Sequence, residues 1–94
     1  MSKIMFEFEL PEGFIDKEGN IHKKGIMRLS SAADEIIPLR DPRVKNNESY
    51  IIIILLSRVI EKLGDLKNVN TFIIEQLSSI DLDFLKTFYQ KINS

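Results

Sequence analysis

Apolar and polar positions alternate from Ile4 to Leu10: Ile4, Phe6, Phe8 and Leu10 fall on one side, Met5, Glu7 and Glu9 on the other. A period of two is the pattern of a half-buried strand. Pro11 and Gly13 interrupt it. Phe14-Ile15 and Ile21-His22 then flank Asp16-Lys17-Glu18-Gly19-Asn20. That spacing predicts a type I turn with Gly19 in the left-handed position of a bulge. Gly25 to Leu29 is the return strand, with Met27 and Leu29 on the same side as the phenylalanines. The first element is an antiparallel hairpin over about 4–29 with one apolar face. A lone hairpin is marginal in water, so this face must pack on the elements that follow.

Those elements read as helices. Ser31 with Asp34 three residues on fits a capping box and predicts a helix over about 31–37, which Pro38 ends. Leu39 to Asn47, with Pro42 inside, reads as an extended connector. Asn70 caps a helix over about 70–78 in which Ile73, Ile74 and Leu77 share a face. Ser78-Ser79-Ile80-Asp81 opens a last helix, about 79–92, where Leu85, Phe88, Tyr89 and Ile92 line up at helical spacing.

The segment between them is ambiguous. Tyr50-Ile51-Ile52-Ile53-Ile54-Leu55-Leu56 has no polar face, and four consecutive isoleucines favour a strand by propensity. Asn46 or Asn47 as N-cap, Glu48 in the first turn and Gly64 past the end instead predict a helix over about 48–63. At about 100° per residue, Ile52, Leu56, Val59, Ile60 and Leu63 form one stripe. Tyr50, Ile51 and Ile54 fall in the sector that Ser57, Arg58, Glu61 and Lys62 mark as polar. Either the rest of the chain covers those three, or they form an apolar patch for a partner. The fold class expected is α+β: one domain over 1–94, with the N-terminal hairpin packed on a bundle of three to four helices.

Composition narrows the chemistry. A net charge of −1 over 94 residues gives no electrostatic footprint for nucleic acid or an anionic membrane. The central apolar run is far shorter than the roughly 20 residues that span a bilayer, and Met1 to Glu7 lacks the apolar stretch of a signal peptide. A soluble cytoplasmic protein is expected. There is no cysteine, hence no disulfide, thiolate metal site or thiol nucleophile. His22, the single histidine, reads as an exposed polar strand residue near the hairpin tip. No phosphate loop or nucleophile elbow is present, so neither catalysis, a metal nor a cofactor is expected. Arg40-Asp41-Pro42-Arg43 reads as a turn whose Asp41 satisfies local backbone groups, or as a polar docking rim.

Leu10-Pro11-Glu12-Gly13-Phe14-Ile15-Asp16, Gly19, Met27-Arg28-Leu29 and Ala33-Asp34-Glu35 resemble the opening of the small tail assembly proteins of tailed phages and phage-like contractile injection particles. Pro38-Leu39-Arg40-Asp41-Pro42-Arg43-Val44, Leu56-Ser57-Arg58-Val59-Ile60 and Leu63-Gly64 are similar to the branch found in phage-like particle clusters. The ending, Ile74-Glu75-x-Leu77, Asp81, Phe84-Leu85, Tyr89 and Ile92-Asn93, is similar too. The resemblance implies a non-enzymatic chaperone of virion morphogenesis, acting in the cytoplasm of a bacterial host of a phage or prophage. It would cover the tape-measure protein until the tail tube forms. The alternative is a structural subunit or adaptor of the baseplate or tail tube. Either implies protein–protein interaction, with a tape-measure or tube protein or with further copies of the chain. Tyr50, Ile51 and Ile54, with Arg40 and Arg43 beside them, are the candidate contact residues.

Overall fold

The structure, a computed structural model, describes residues 4–94. Strands β1 (Met5–Ile15) and β2 (Ile21–Arg28) form the expected hairpin, and β3 (Ile60–Leu63) extends it to an antiparallel sheet in the order β1-β2-β3. Among the described residues, five α-helices complete an α+β fold: α1 (Ala32–Ile36), α2 (Pro42–Asn46), α3 (Ile51–Val59), α4 (Thr71–Glu75) and α5 (Ser79–Ile92).

The hairpin turn is the one the sequence predicts. The Gly19 amide donates to the Asp16 carbonyl at 3.0 Å, and Gly19 takes φ +86°. Phe6 pairs with Met27 and Phe8 with Gly25, so the phenylalanines and Met27 share the inner face. Pro11 and Gly13 do not end β1 as the sequence suggested. Residues 10–13 bulge out between the Glu9–Lys24 and Phe14–His22 pairs, and pairing then resumes. A bulge tolerates proline, because its residues owe no donor to the ladder.

α5 lies on the inner face. Leu85 and Tyr89 are buried there, and Phe8 meets Phe88 edge-on at a centroid distance of 5.7 Å. Such pairs contribute about 1 kcal/mol beyond the area they bury. Leu10, Met27, Leu56, Val59, Leu63 and Ile74 close the core.

The helix expected over 48–63 is three elements instead. Asn47 caps a 3₁₀ turn, Glu48–Tyr50, which runs directly into α3. At Ile60 the backbone leaves the helix (φ −81°, ψ 110°) and pairs with the free edge of β2. Ile26 faces Lys62 and Met27 faces Ile60, which leaves Glu61 as an extra residue on β3. This bulge puts Ile60 and Leu63, three residues apart, on the same buried side. The gain that overrides helix continuation is a set of ladder bonds for the edge of β2. Gly64 therefore follows a strand, not a helix.

A second correction concerns the connector. Asp41 accepts from the Arg43 amide at 2.8 Å and Pro42 occupies the first helical position, so Pro42 starts a helix where an extended connector was expected. A 3₁₀ turn, Ile37–Arg40, joins α1 to α2.

Asp34 fixes this whole segment. Its carboxylate reaches back to the Ser31 amide at 2.8 Å, as the capping pattern anticipates. It also accepts two bonds from Arg28, at 2.6 and 2.9 Å, and one from Arg58 at 3.0 Å, while only 1% exposed. The Arg28 guanidinium, then the Ser31 amide and Arg58, hold the carboxyl well below the usual carboxylate range against the opposing effect of burial. One side chain thereby joins the end of β2, the start of α1 and the end of α3. Asp34→Asn leaves two guanidiniums facing a neutral group, and should lower unfolding stability by about 3 kcal/mol in chemical denaturation. A loss within the scatter of surface substitutions would mean that the cluster does not anchor the fold.

Candidate functional site

The residues singled out from the sequence divide. Ile54 is 8% exposed, covered by the chain itself, so it is not available as a contact residue. Tyr50 and Ile51 are half-buried, and no residue of α3 is more exposed than that. α1, the 3₁₀ turn Ile37–Arg40 and α4 all pack on α3, so an apolar helix is enclosed by its own domain. The Tyr50 ring lies under the Arg43 guanidinium, 5.3 Å from it, and the Tyr50 hydroxyl donates to Glu75. Arg43 is also paired with Asp41 at 2.9 Å and donates to the Thr71 hydroxyl at 3.2 Å. These contacts tie α2 to α4. Arg40 is exposed. The structure thus joins Tyr50 and Arg43 in a polar clasp and buries Ile54.

The larger apolar opening lies at the other end of the hairpin. A groove of about 890 Å³ runs between residues 12–18 and the stretch that includes Leu66, Phe72, Ile73 and Gln76. Phe72 and Ile15 are 62% and 63% exposed, far more than their size would favour. Phe14, Leu66 and Ile73 lie half-buried against the core. Among the described residues, Glu12, Asp16 and Glu18 line the groove with one cation, Lys17. Apolar concavity with a few charges at its margin is the usual make-up of a binding site.

Its walls are held by two buried polar side chains. Ser78 caps α5 by accepting from the Asp81 amide at 3.1 Å. The Asp81 side chain, with 0% exposure, is turned towards β1 and accepts from the amides of Glu12 at 2.9 Å and Gly13 at 2.8 Å. Two donors orphaned by the bulge are thereby satisfied. His22 is 7% exposed, contrary to the exposed strand residue that the sequence predicts. Its Nδ1 accepts from the Asp65 amide at 3.2 Å, which leaves Nε2 to donate to Asp16 at 2.8 Å. Gly64 makes room for the ring: a Cβ there would fall 2.2 Å from His22 Nδ1, and its φ of +56° favours glycine besides. With both nitrogens committed, the imidazole braces the hairpin tip against the loop after β3.

Sequence reasoning passed over Phe72, Ile15, His22 and Asp81 as site-forming residues. A signal existed for two of them. Phe14-Ile15 is an adjacent apolar pair on a two-faced strand, so one side chain must point outward. Phe72 lies off the Ile73, Ile74 and Leu77 face of its helix. Nothing local marks the Asp65 amide as partner of His22 or the Glu12 and Gly13 amides as partners of Asp81.

Among the described residues no group of three or more histidine, aspartate or glutamate side chains could hold a metal ion, and no helix is long and apolar enough to cross a membrane. Comparison with protein-family models, curated proteins and solved structures returns no match to the chain.

The brace predicts an acid response. The bond from His22 chiefly, with the Asn20 and Glu18 amides, lowers the Asp16 carboxyl to about 2. A folded-state value below the unfolded one gives stability that is complete above about pH 4 and lost as pH falls through that lower value. The gap in denaturation midpoint between the wild type and Asp16→Asn should therefore be widest near neutrality and close as pH falls towards about 2. A gap independent of pH would show that the carboxylate's charge does not matter there.

Proposed function

We propose that the chain is a non-enzymatic protein-binding domain that acts as a chaperone in phage-type tail assembly. On this reading it works in the cytoplasm of the bacterial host. It shields apolar helical stretches of a tape-measure protein until the tube closes around them. The observation that carries the proposal is the groove between the hairpin tip and α4, with Phe72 and Ile15 open to solvent. An apolar face of a helix laid against those side chains removes both from water, the groove-and-helix mode of recognition. Fully burying a side chain of this size contributes about 2 kcal/mol.

The groove, not Tyr50, Ile51 and Ile54, is the contact surface on this reading, because Ile54 is enclosed by the chain. The resemblance of Leu10-Pro11-Glu12-Gly13-Phe14-Ile15 to the opening of tail assembly proteins supports the same location. That stretch forms the bulge held by Asp81 and continues into the groove wall.

Co-expression with an aggregation-prone tape-measure segment tests the proposal. The wild-type chain should keep the segment soluble in a complex. Phe72→Glu and Ile15→Glu should fold normally and weaken binding by about tenfold or more each. Unchanged binding in both variants would overturn the groove assignment. Recovery of the chain at fixed copy number in finished particles, read by mass spectrometry, would overturn the chaperone role in favour of a baseplate or tube subunit.

A further inference from the structure

A second apolar surface lies on the covering segment. Ile36, Ile37 and Leu39 are 50%, 43% and 55% exposed, three large apolar side chains within four residues. They stand on a fixed support, since Asp34 is held by two arginines and Pro38 is buried. The charges that follow are mainly basic. Arg40 and Lys45 are exposed and Arg43 is neutralised by Asp41; the nearby acids are Glu48 and, before the segment, Glu35, whose carboxylate accepts from the Tyr89 hydroxyl. None of residues 36–40 lines the chain's own groove.

The groove between the hairpin tip and α4 has the opposite character. It is apolar, and among the described residues Glu12, Asp16 and Glu18 outnumber Lys17 along it. We infer that the groove of one copy receives the Ile36–Arg40 segment of a second copy. Ile36, Ile37 and Leu39 would fill the apolar opening, and Arg40 would meet the acidic margin. A net charge of −1 leaves little long-range repulsion between copies. Because groove and segment are different surfaces, the contact is heterologous. The inference goes beyond the chaperone reading and does not need it. Where both hold, the second copy occupies the groove until a client displaces it.

Sedimentation velocity on the purified chain and its variants tests this without any client, so a failure here is distinct from a failure of the chaperone reading. The wild type should associate as concentration rises. Phe72→Glu, which spoils the groove, and Leu39→Glu, which spoils the segment, should each remain monomeric. Both positions are more than half exposed, so both variants should keep the wild-type circular dichroism spectrum and melting temperature. An equimolar mixture of the two should regain a one-to-one pair, because one supplies an intact groove and the other an intact segment. Arg40→Glu should weaken association several-fold. A wild type that stays monomeric at every concentration would overturn the inference. So would a mixture that stays monomeric, a single variant that associates like the wild type, or an Arg40→Glu variant without effect.

Discussion

A buried carboxylate is costly unless donors or positive charge meet it, and Asp34 is met by Arg28 and Arg58 from two different elements and by the Ser31 amide. Much of the domain's layout follows from that requirement. Arg28 ends β2, so the sheet is bound to the start of α1. Arg58 lies near the end of α3, so the segment from α1 to α2 is kept against that helix. The segment covers what would otherwise be an open face of a helix made almost wholly of isoleucine and leucine. Arg28 also donates to the Arg58 carbonyl at 2.9 Å, close to where α3 gives way to β3.

Local signals in the sequence were legible and remote ones were not. The alternation of Phe6 and Phe8, the turn at Gly19, the caps at Asn47, Asn70 and Ser78, and the Leu85–Tyr89 face of α5 all depend on residues within a few positions of each other. Asp81 instead bonds to amides 69 and 68 residues away, and Arg58 finds Asp34 across 24 residues. Such pairings leave no trace in spacing. β3 was misread for a subtler reason. Ile60 and Leu63 lie three apart, which is helical spacing, and the bulge at Glu61 gives a strand that same spacing on one face. Periodicity could not separate the two; the free edge of β2 did.

The candidate site shows the same division. The apolar excess in the central run was real, but the fold spends it inside. Exposed apolar side chains lie elsewhere, among them Ile36, Ile37 and Leu39 on the covering segment and Ile15 and Phe72 beside the groove. Arg43 and Tyr50, expected at an interface, clasp α2 to α4. Asp41 pairs with Arg43 and accepts from its amide, at the start of a helix instead of in a turn.

The bonds that shape the groove have an evolutionary consequence. Asp81 grips the main chain of Glu12 and Gly13, and the His22 ring is tied to the amide of Asp65. Main-chain amides are the same whatever side chain they carry, so the frame places little demand on the identity of Glu12 or of its neighbours along the lining. The exceptions are Gly13, with φ +98° and Lys23 and Ile21 pressed close, Asp16, whose carboxylate holds His22, and Ser78, which caps α5. Substitutions along the lining could therefore accumulate with little change in the backbone beneath them. A surface framed in this way can follow a changing counterpart while the fold stays still.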